Sequence, residues 1–171
     1  FSNGAMQTIT GGEPMLWQEQ LTDWMNLLKE GEPARDPYTE IETNGTIQPK
    51  DDFFRWINHW NCSPKLESAG DPLEKRYKPD VLKWINDQES SMFKFVVNVY
   101  NKNTIDKDLE EIDKIQTECN ISTSKISLMA EGYTREQCLS NMISVIEICK
   151  SRGFRFSPRL HVYAWDRVTG V

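Results

Sequence analysis

Residues 92–100 read MFKFVVNVY, a short run rich in β-branched and aromatic residues and apolar at both parities. Such a run predicts a strand covered on both faces, as in the interior of a parallel sheet. The rest of the chain repeats that unit in weaker form, alternating with segments of helical period. Strands are predicted at Gln7–Thr10, Tyr38–Glu42, Asn61–Cys62, Ile126–Met129 and Leu160–Trp165.

Between them lie the helices. Pro14 suits a first helical turn, where its missing N–H would have no partner, and Trp17, Leu21, Trp24, Met25 and Leu28 follow on one stripe until Gly31 and Pro33 stop it. A helix is predicted over Asp52–Trp60. Residues 66–79, charged and carrying Gly and Pro, read as a loop. Pro79 opens a short helix with Val81, Trp84 and Ile85 inward. A longer helix carries Ile105, Leu109, Ile112 and Cys119 on one stripe, and its charge run Asp106–Lys114 reads as a solvated face. Thr134 with Gln137 three residues on fits a capping box, predicting a helix that buries Leu139, Met142, Ile143, Ile146 and Cys149 and ends at Gly153. About six strands with intervening helices in one domain, 1–171, define an α/β protein built from βαβ units. Pattern alone leaves an open sheet and a barrel as alternatives.

Composition narrows the function classes. With 20 Lys and Arg against 26 Asp and Glu, the formal charge is −6, which disfavours a nucleic-acid platform, since phosphate binding needs clustered cations. No apolar run approaches the ~18 residues of a membrane span, and no basic-then-apolar leader opens the chain. Cys62, Cys119, Cys138 and Cys149 are separated by 57, 19 and 11 residues, so zinc-ribbon spacing is absent and buried free thiols are expected. A soluble, acidic protein of a reducing compartment is the reading. The start at Phe1 without Met reads as a chain cut from something longer.

In parallel α/β folds, ligands meet the carboxyl ends of the strands. Those ends here are small and polar: Thr10-Gly11-Gly12-Glu13-Pro14, Glu42-Thr43-Asn44-Gly45-Thr46, Ser63-Pro64-Lys65 and Glu131-Gly132. Gly11-Gly12 is either a tight turn or a place where backbone approaches a ligand, with Glu13 offering a carboxylate to an ammonium group. Asn44-Gly45 is either a hairpin turn or a rim element, and the following Gln48-Pro49-Lys50 does not alternate as a partner strand would. Ser63-Pro64-Lys65 is either a loop start or a hydroxyl and cation suited to a ribose or carboxylate. His161 and His59 read as structural histidines in their own context. Trp17, Trp24 and Trp84 read as core.

The ordered series of these elements, with Lys94-Phe95-Val96-Val97, Leu128-Met129-Ala130-Glu131-Gly132 and Arg159-Leu160-His161-Val162, resembles the 7-carboxy-7-deazaguanine synthase family from about Ile9 to Val171. That family belongs to the radical S-adenosylmethionine superfamily of queuosine and deazapurine biosynthesis. The resemblance implies an incomplete parallel β/α barrel that binds a [4Fe–4S] cluster and S-adenosylmethionine at its rim. Reductive cleavage of that cofactor yields a 5′-deoxyadenosyl radical. The radical takes hydrogen from 6-carboxy-5,6,7,8-tetrahydropterin, and a magnesium-assisted ring contraction gives 7-carboxy-7-deazaguanine.

By the same resemblance Gly11, Gly12 and Glu13 hold the methionine amino group, and Thr43, Asn44, Ser63 and Lys65 line the rest of the cofactor site. Thr10, His161 and Val171 face the pterin. The family's cluster is held by three closely spaced cysteines after the first strand, and none of the four cysteines here has that placement. The implied ligands therefore fall upstream of Phe1, in a first βα unit that the chain lacks. The expectation is a C-terminal part of such an enzyme, cytoplasmic, inactive by itself, whose bare sheet edge is covered by a homodimer or a separate N-terminal chain. Two other readings stand beside it: another small radical S-adenosylmethionine activating enzyme, and a non-catalytic remnant that binds a nucleoside-like ligand or a partner chain.

Overall fold

A computed structural model of the chain describes residues 6–31 and 37–168. Six strands form one sheet: β1 Gln7–Ile9, β2 Thr39–Thr43, β3 His59–Cys62, β4 Ser91–Val97, β5 Ile126–Ala130 and β6 Arg155–Phe156. Their order in the sheet is their order in the chain, and every neighbouring pair is parallel. Among the described residues six α-helices lie in the connections, α1 Gln18–Gly31, α2 Asp51–Phe54, α3 Leu73–Arg76, α4 Pro79–Asn86, α5 Lys102–Glu118 and α6 Arg135–Arg152, and α7 Leu160–Trp165 follows β6. This is the open, all-parallel sheet of an incomplete β/α barrel.

Sequential strand order decides where the core lies. Right-handed crossovers repeated in one direction put their helices on one face of a sheet. Burial along the strands agrees. In β4, Ser91, Phe93, Phe95 and Val97 are buried, while Met92, Lys94 and Val96 are half-exposed; in β2, Thr39, Ile41 and Thr43 are buried, while Glu40 and Glu42 are not. The two-sided cover expected of residues 92–100 is therefore replaced by one apolar face and one open face. The core runs from Ile41, Phe53 and Trp60 through Phe93 and Phe95 to Ile112, Ile126 and Leu128. Trp84 turns its ring edge-on to Trp60 and Phe54 at centroid distances of 5.2 and 5.5 Å.

Several elements differ from expectation for identifiable reasons. The helix foreseen over Asp52–Trp60 lasts one turn. Asn58 then bonds both ways to Thr39, its amide N–H reaching the carbonyl at 2.8 Å and its Oδ1 accepting the N–H at 2.7 Å, so His59 and Trp60 enter the sheet as the start of β3. Residues 160–165, foreseen as a strand, are helical. The sheet position beside β5 is taken by Arg155–Phe156, continued by the Ser157 N–H to Leu128 O at 2.8 Å, and Val162 and Tyr163 donate back to Arg159 O instead. Val162 alone of that helix is buried. Trp17 and Trp24, expected in the core, are 59% and 41% exposed, because Met25 is the residue of α1 that reaches the sheet. In α6 the buried stripe is Cys138, Asn141, Val145 and Cys149, leaving Leu139 and Ile143 outside.

The capping box is present as foreseen. Thr134 accepts the Gln137 N–H at 3.2 Å, and the Gln137 side chain returns to the Thr134 N–H at 3.2 Å. Gly153 ends α6 with φ +70°, a left-handed cap. Thr134→Ala is expected to cost about 1 kcal/mol, measured as a lower urea midpoint at unchanged m-value. An unaltered midpoint would show that the box contributes nothing here.

Candidate functional site at the carboxyl rim of the sheet

The chain leaves β1 through Thr10 and turns on two exposed glycines with left-handed backbone, φ +95° at Gly11 and +58° at Gly12. At both, a Cβ would meet nothing within 4 Å, so the peptide groups of this turn face open space. Glu13 comes next and is the hub of the rim. Its Oε1 accepts the Thr43 hydroxyl at 2.7 Å and the Met15 N–H at 3.1 Å, and its Oε2 accepts the Asn44 N–H at 2.8 Å. The carboxylate expected to meet a ligand ammonium thus also fastens the end of β1 to the end of β2, a task that spacing could not reveal.

Beyond β2 the turn is equally constrained. Thr43 is buried and its hydroxyl oxygen also accepts the Gly45 N–H at 3.2 Å. Asn44 Oδ1 accepts the Thr46 N–H at 3.0 Å and its hydroxyl at 2.6 Å. Gly45 has φ +73° and lies so close to Cys62 and Leu82 that an added Cβ would stand 2.6 Å from each. The turn between Asn44 and Thr46 is a rim element packed against β3 and α4, not a hairpin. Ser63 continues β3, donating its N–H to Thr43 O at 2.7 Å.

Thr10, Gly12, Glu42, Thr43, Asn44, Asn61, Ser63, Lys65 and Lys94 surround a cavity of about 250 Å³. Ser63 and Lys65 also line a second, larger cavity of about 420 Å³, whose lining includes Asp71, Asn98, Glu131 and Tyr133. The rim is therefore two compartments sharing a wall at the end of β3. His161 is exposed on α7 and is not among the residues that line either cavity. Val171 lies outside the described residues.

The wall of the larger compartment has a brace. Arg76, at the end of α3, is buried and pairs with Glu111 of α5, while donating to Lys65 O at 3.0 Å and Asp71 O at 3.1 Å. The other Glu111 oxygen accepts the Glu67 N–H at 2.8 Å. Asp108, also buried, accepts the Asn98 N–H at 3.2 Å, and burial pushes its carboxyl above the usual range. The charge run of α5 is thus not wholly a solvated face: Glu111 holds residues 67 and 76 against the helix, and Asp108 holds Asn98 at the end of β4.

The cysteines fit no iron–sulfur cluster. Cys62 lies in β3, Cys119 after α5, and Cys138 and Cys149 in α6; all four are buried and free. Burial pushes each thiol up, with Glu13 adding to the effect at Cys62, so none is poised as the thiolate that cluster ligation requires. Among the described residues no three His, Cys, Asp or Glu side chains stand together as a metal site. The rim does fit S-adenosylmethionine in its chemistry: open glycine peptides, hydroxyls, an amide, a carboxylate and a lysine around adjoining cavities. No described helix is long and apolar enough to cross a membrane.

Glu42, Lys94, Asn98 and Tyr133 were not singled out by sequence as site residues. Lys94 did carry a signal, a lone charge at one parity of an otherwise apolar strand.

Fold and rim together define a parallel β/α protein with its ligand compartments at the carboxyl ends of the strands. Two curated relatives give that class a particular likeness. The 7-carboxy-7-deazaguanine synthase of Pyrobaculum aerophilum is 28% identical over 168 residues, covering 95% of this chain, and that of Halobacterium salinarum is 28% identical over 179 residues, covering 92%. The chain spans 66% and 64% of those two proteins' lengths. No family model matches the chain. The resemblance read from the rim motifs is thus reproduced across nearly the whole chain.

Proposed function

We propose that this chain forms the S-adenosylmethionine and pterin compartments of a radical S-adenosylmethionine enzyme that converts 6-carboxy-5,6,7,8-tetrahydropterin to 7-carboxy-7-deazaguanine. The observation that carries the reading is the Glu13 clamp, which joins the Gly11-Gly12 turn to the Thr43-Asn44 turn at the ends of adjacent strands. Gly11, Gly12 and Glu13 hold the methionine amino group, Thr43 and Asn44 its surroundings, and Ser63 and Lys65 the boundary with the larger compartment, which takes the nucleoside. Thr10 and His161 face the pterin in the smaller compartment. When bound, S-adenosylmethionine supplies the group that abstracts hydrogen; the protein supplies orientation and exclusion of water. No step is assigned to an iron–sulfur cluster, which the four buried and dispersed cysteines do not fit, or to magnesium.

A second reading, ligand binding without turnover, is favoured by one observation, the burial and dispersal of all four thiols. The first reading requires S-adenosylmethionine to bind the rim, whereas the second requires only a nucleoside-like ligand or a partner chain. Glu13→Ala is expected to weaken S-adenosylmethionine binding by about tenfold or more, since a half-buried, charge-assisted hub is lost. Calorimetric titration checks it, with the circular dichroism spectrum showing that the variant folds. Equal affinity in the two proteins would remove the cofactor from this part of the rim.

A further inference from the structure

One pair of charges inside the rim has no role in the reading above. Lys94 lies on the open face of β4 between Phe93 and Phe95, whose rings are buried on the helix side. Its ammonium reaches across β3 to Oε1 of Glu42 on β2, at 3.1 Å. The Thr10 hydroxyl donates to the other Glu42 oxygen at 2.8 Å. The Lys94 side chain is 21% exposed and that of Glu42 38%.

Withdrawing a lysine this far from water costs desolvation, and a partly buried ion pair commonly stabilises a fold no more than two apolar side chains would. Stability gives little reason for the pair. Its setting gives a better one. Both side chains line the smaller compartment. The ammonium has three N–H bonds and, among the described residues, one hydrogen-bond acceptor, Glu42. Two N–H bonds remain for a ligand. Lys65 lines the same compartment, so its lining carries two cations and one anion, Glu42.

We infer that Lys94 anchors a ligand carboxylate in the smaller compartment, and that Glu42, held by Thr10, is the internal anion that engages the ammonium while the compartment is empty. The inference rests on the pterin reading and adds the residue that distinguishes a carboxylated pterin from one without the carboxylate. The methionine carboxylate of S-adenosylmethionine has the same chemistry. Lys94 is placed with the pterin because its partner Glu42 is held by Thr10, which the reading above gives to the pterin, whereas the clamped Gly12–Asn44 end of the compartment is the methionine side.

The test is calorimetric titration of the wild-type chain, Lys94→Gln and Glu42→Gln with pterin-6-carboxylate, pterin and S-adenosylmethionine. Lys94→Gln is expected to weaken pterin-6-carboxylate by about tenfold or more, leaving pterin and S-adenosylmethionine within about twofold. Glu42→Gln, which removes a like charge beside the ligand carboxylate, is expected to strengthen pterin-6-carboxylate a few-fold. Lys94→Met, which keeps an apolar stem, replaces the Gln variant if that one fails to fold. Unchanged affinity for pterin-6-carboxylate in the Lys94 variant overturns the inference, and so does a loss confined to S-adenosylmethionine, which would give Lys94 to the methionine carboxylate. An unchanged or weakened affinity in Glu42→Gln overturns the part given to Glu42. A wild-type chain that binds S-adenosylmethionine but neither pterin overturns the pterin reading together with this one; equal binding of both pterins by the wild type overturns the carboxylate anchor alone.

Discussion

Gly45→Ala is expected to lower the unfolding free energy by about 3 kcal/mol, from a left-handed residue gaining a Cβ and from overpacking of a filled site. Gly45 has φ +73°, and its Cβ would meet Cys62 Sγ and Leu82 Cδ2 at 2.6 Å each. Both neighbours are fully buried, Cys62 in β3 and Leu82 in α4, so neither can swing aside into solvent. The damage would spread to the rim. Displacing Gly45 pulls on its N–H bond to Thr43, and Thr43 is one of the donors to Glu13. Urea denaturation should show the loss as a lower midpoint with an unchanged slope, and S-adenosylmethionine affinity should fall with it. A loss below about 1 kcal/mol would mean that β3 and α4 can part to admit a methyl group. Gly11→Ala provides the contrast: the φ is as unfavourable, but nothing lies within 4 Å, so only the backbone cost remains.

Arg76→Ala should cost about as much by a different route. Removing one partner of a buried ion pair leaves the other charge without compensation, typically a loss of about 3–5 kcal/mol. The Arg76 side chain is 4% exposed and that of Glu111 16%, and two carbonyls, of Lys65 and Asp71, lose their donor at the same time. Lys65 and Asp71 both line the larger compartment. Arg76 touches no ligand compartment through its own charge, so its effect on binding is positional. The variant is expected to lose S-adenosylmethionine affinity even at temperatures where it stays folded. Arg76→Lys should recover little, since an ammonium cannot reproduce the fork that serves Glu111 and two carbonyls together. Full stability in Arg76→Ala, by the same denaturation, would show that residues 65–76 are held by packing alone.

How much of this was legible beforehand differs by element. Where a strand is long and its apolar residues dense, the local signal located it closely: the strand expected at residues 92–100 is Ser91–Val97, three residues shorter at its end, and the one expected at Ile126–Met129 is Ile126–Ala130. The capping box at Thr134 and the Gly153 stop were legible because capping is chemistry between residues a few positions apart. Residues 59–60 and 160–165 were not, because their state depends on which edge of the sheet has a free neighbour. Asn58 draws the first pair into β3, and Arg155–Phe156 takes the edge that the second would have needed. The phase of α6 was legible only in part: Cys138 and Cys149 are buried as expected, whereas Leu139 and Ile143, equally apolar, are turned out by the direction of β5 beneath the helix.

The site divides along the same line. The sequence by itself determined that small and polar turns follow successive strands, that parallel crossovers bring those turns to one rim, and that their order resembles 7-carboxy-7-deazaguanine synthase. All of these are properties of local composition and of order along the chain. Tertiary structure alone decided that Glu13 is fastened to Thr43 and Asn44, that Arg76 braces a wall with Glu111, and that Lys94 reaches over a strand to Glu42. Those partners are 30, 31, 35 and 52 residues apart in the chain. Charge pairing at such separations leaves no periodic trace, because the partner is selected by strand register and crossover geometry and not by spacing.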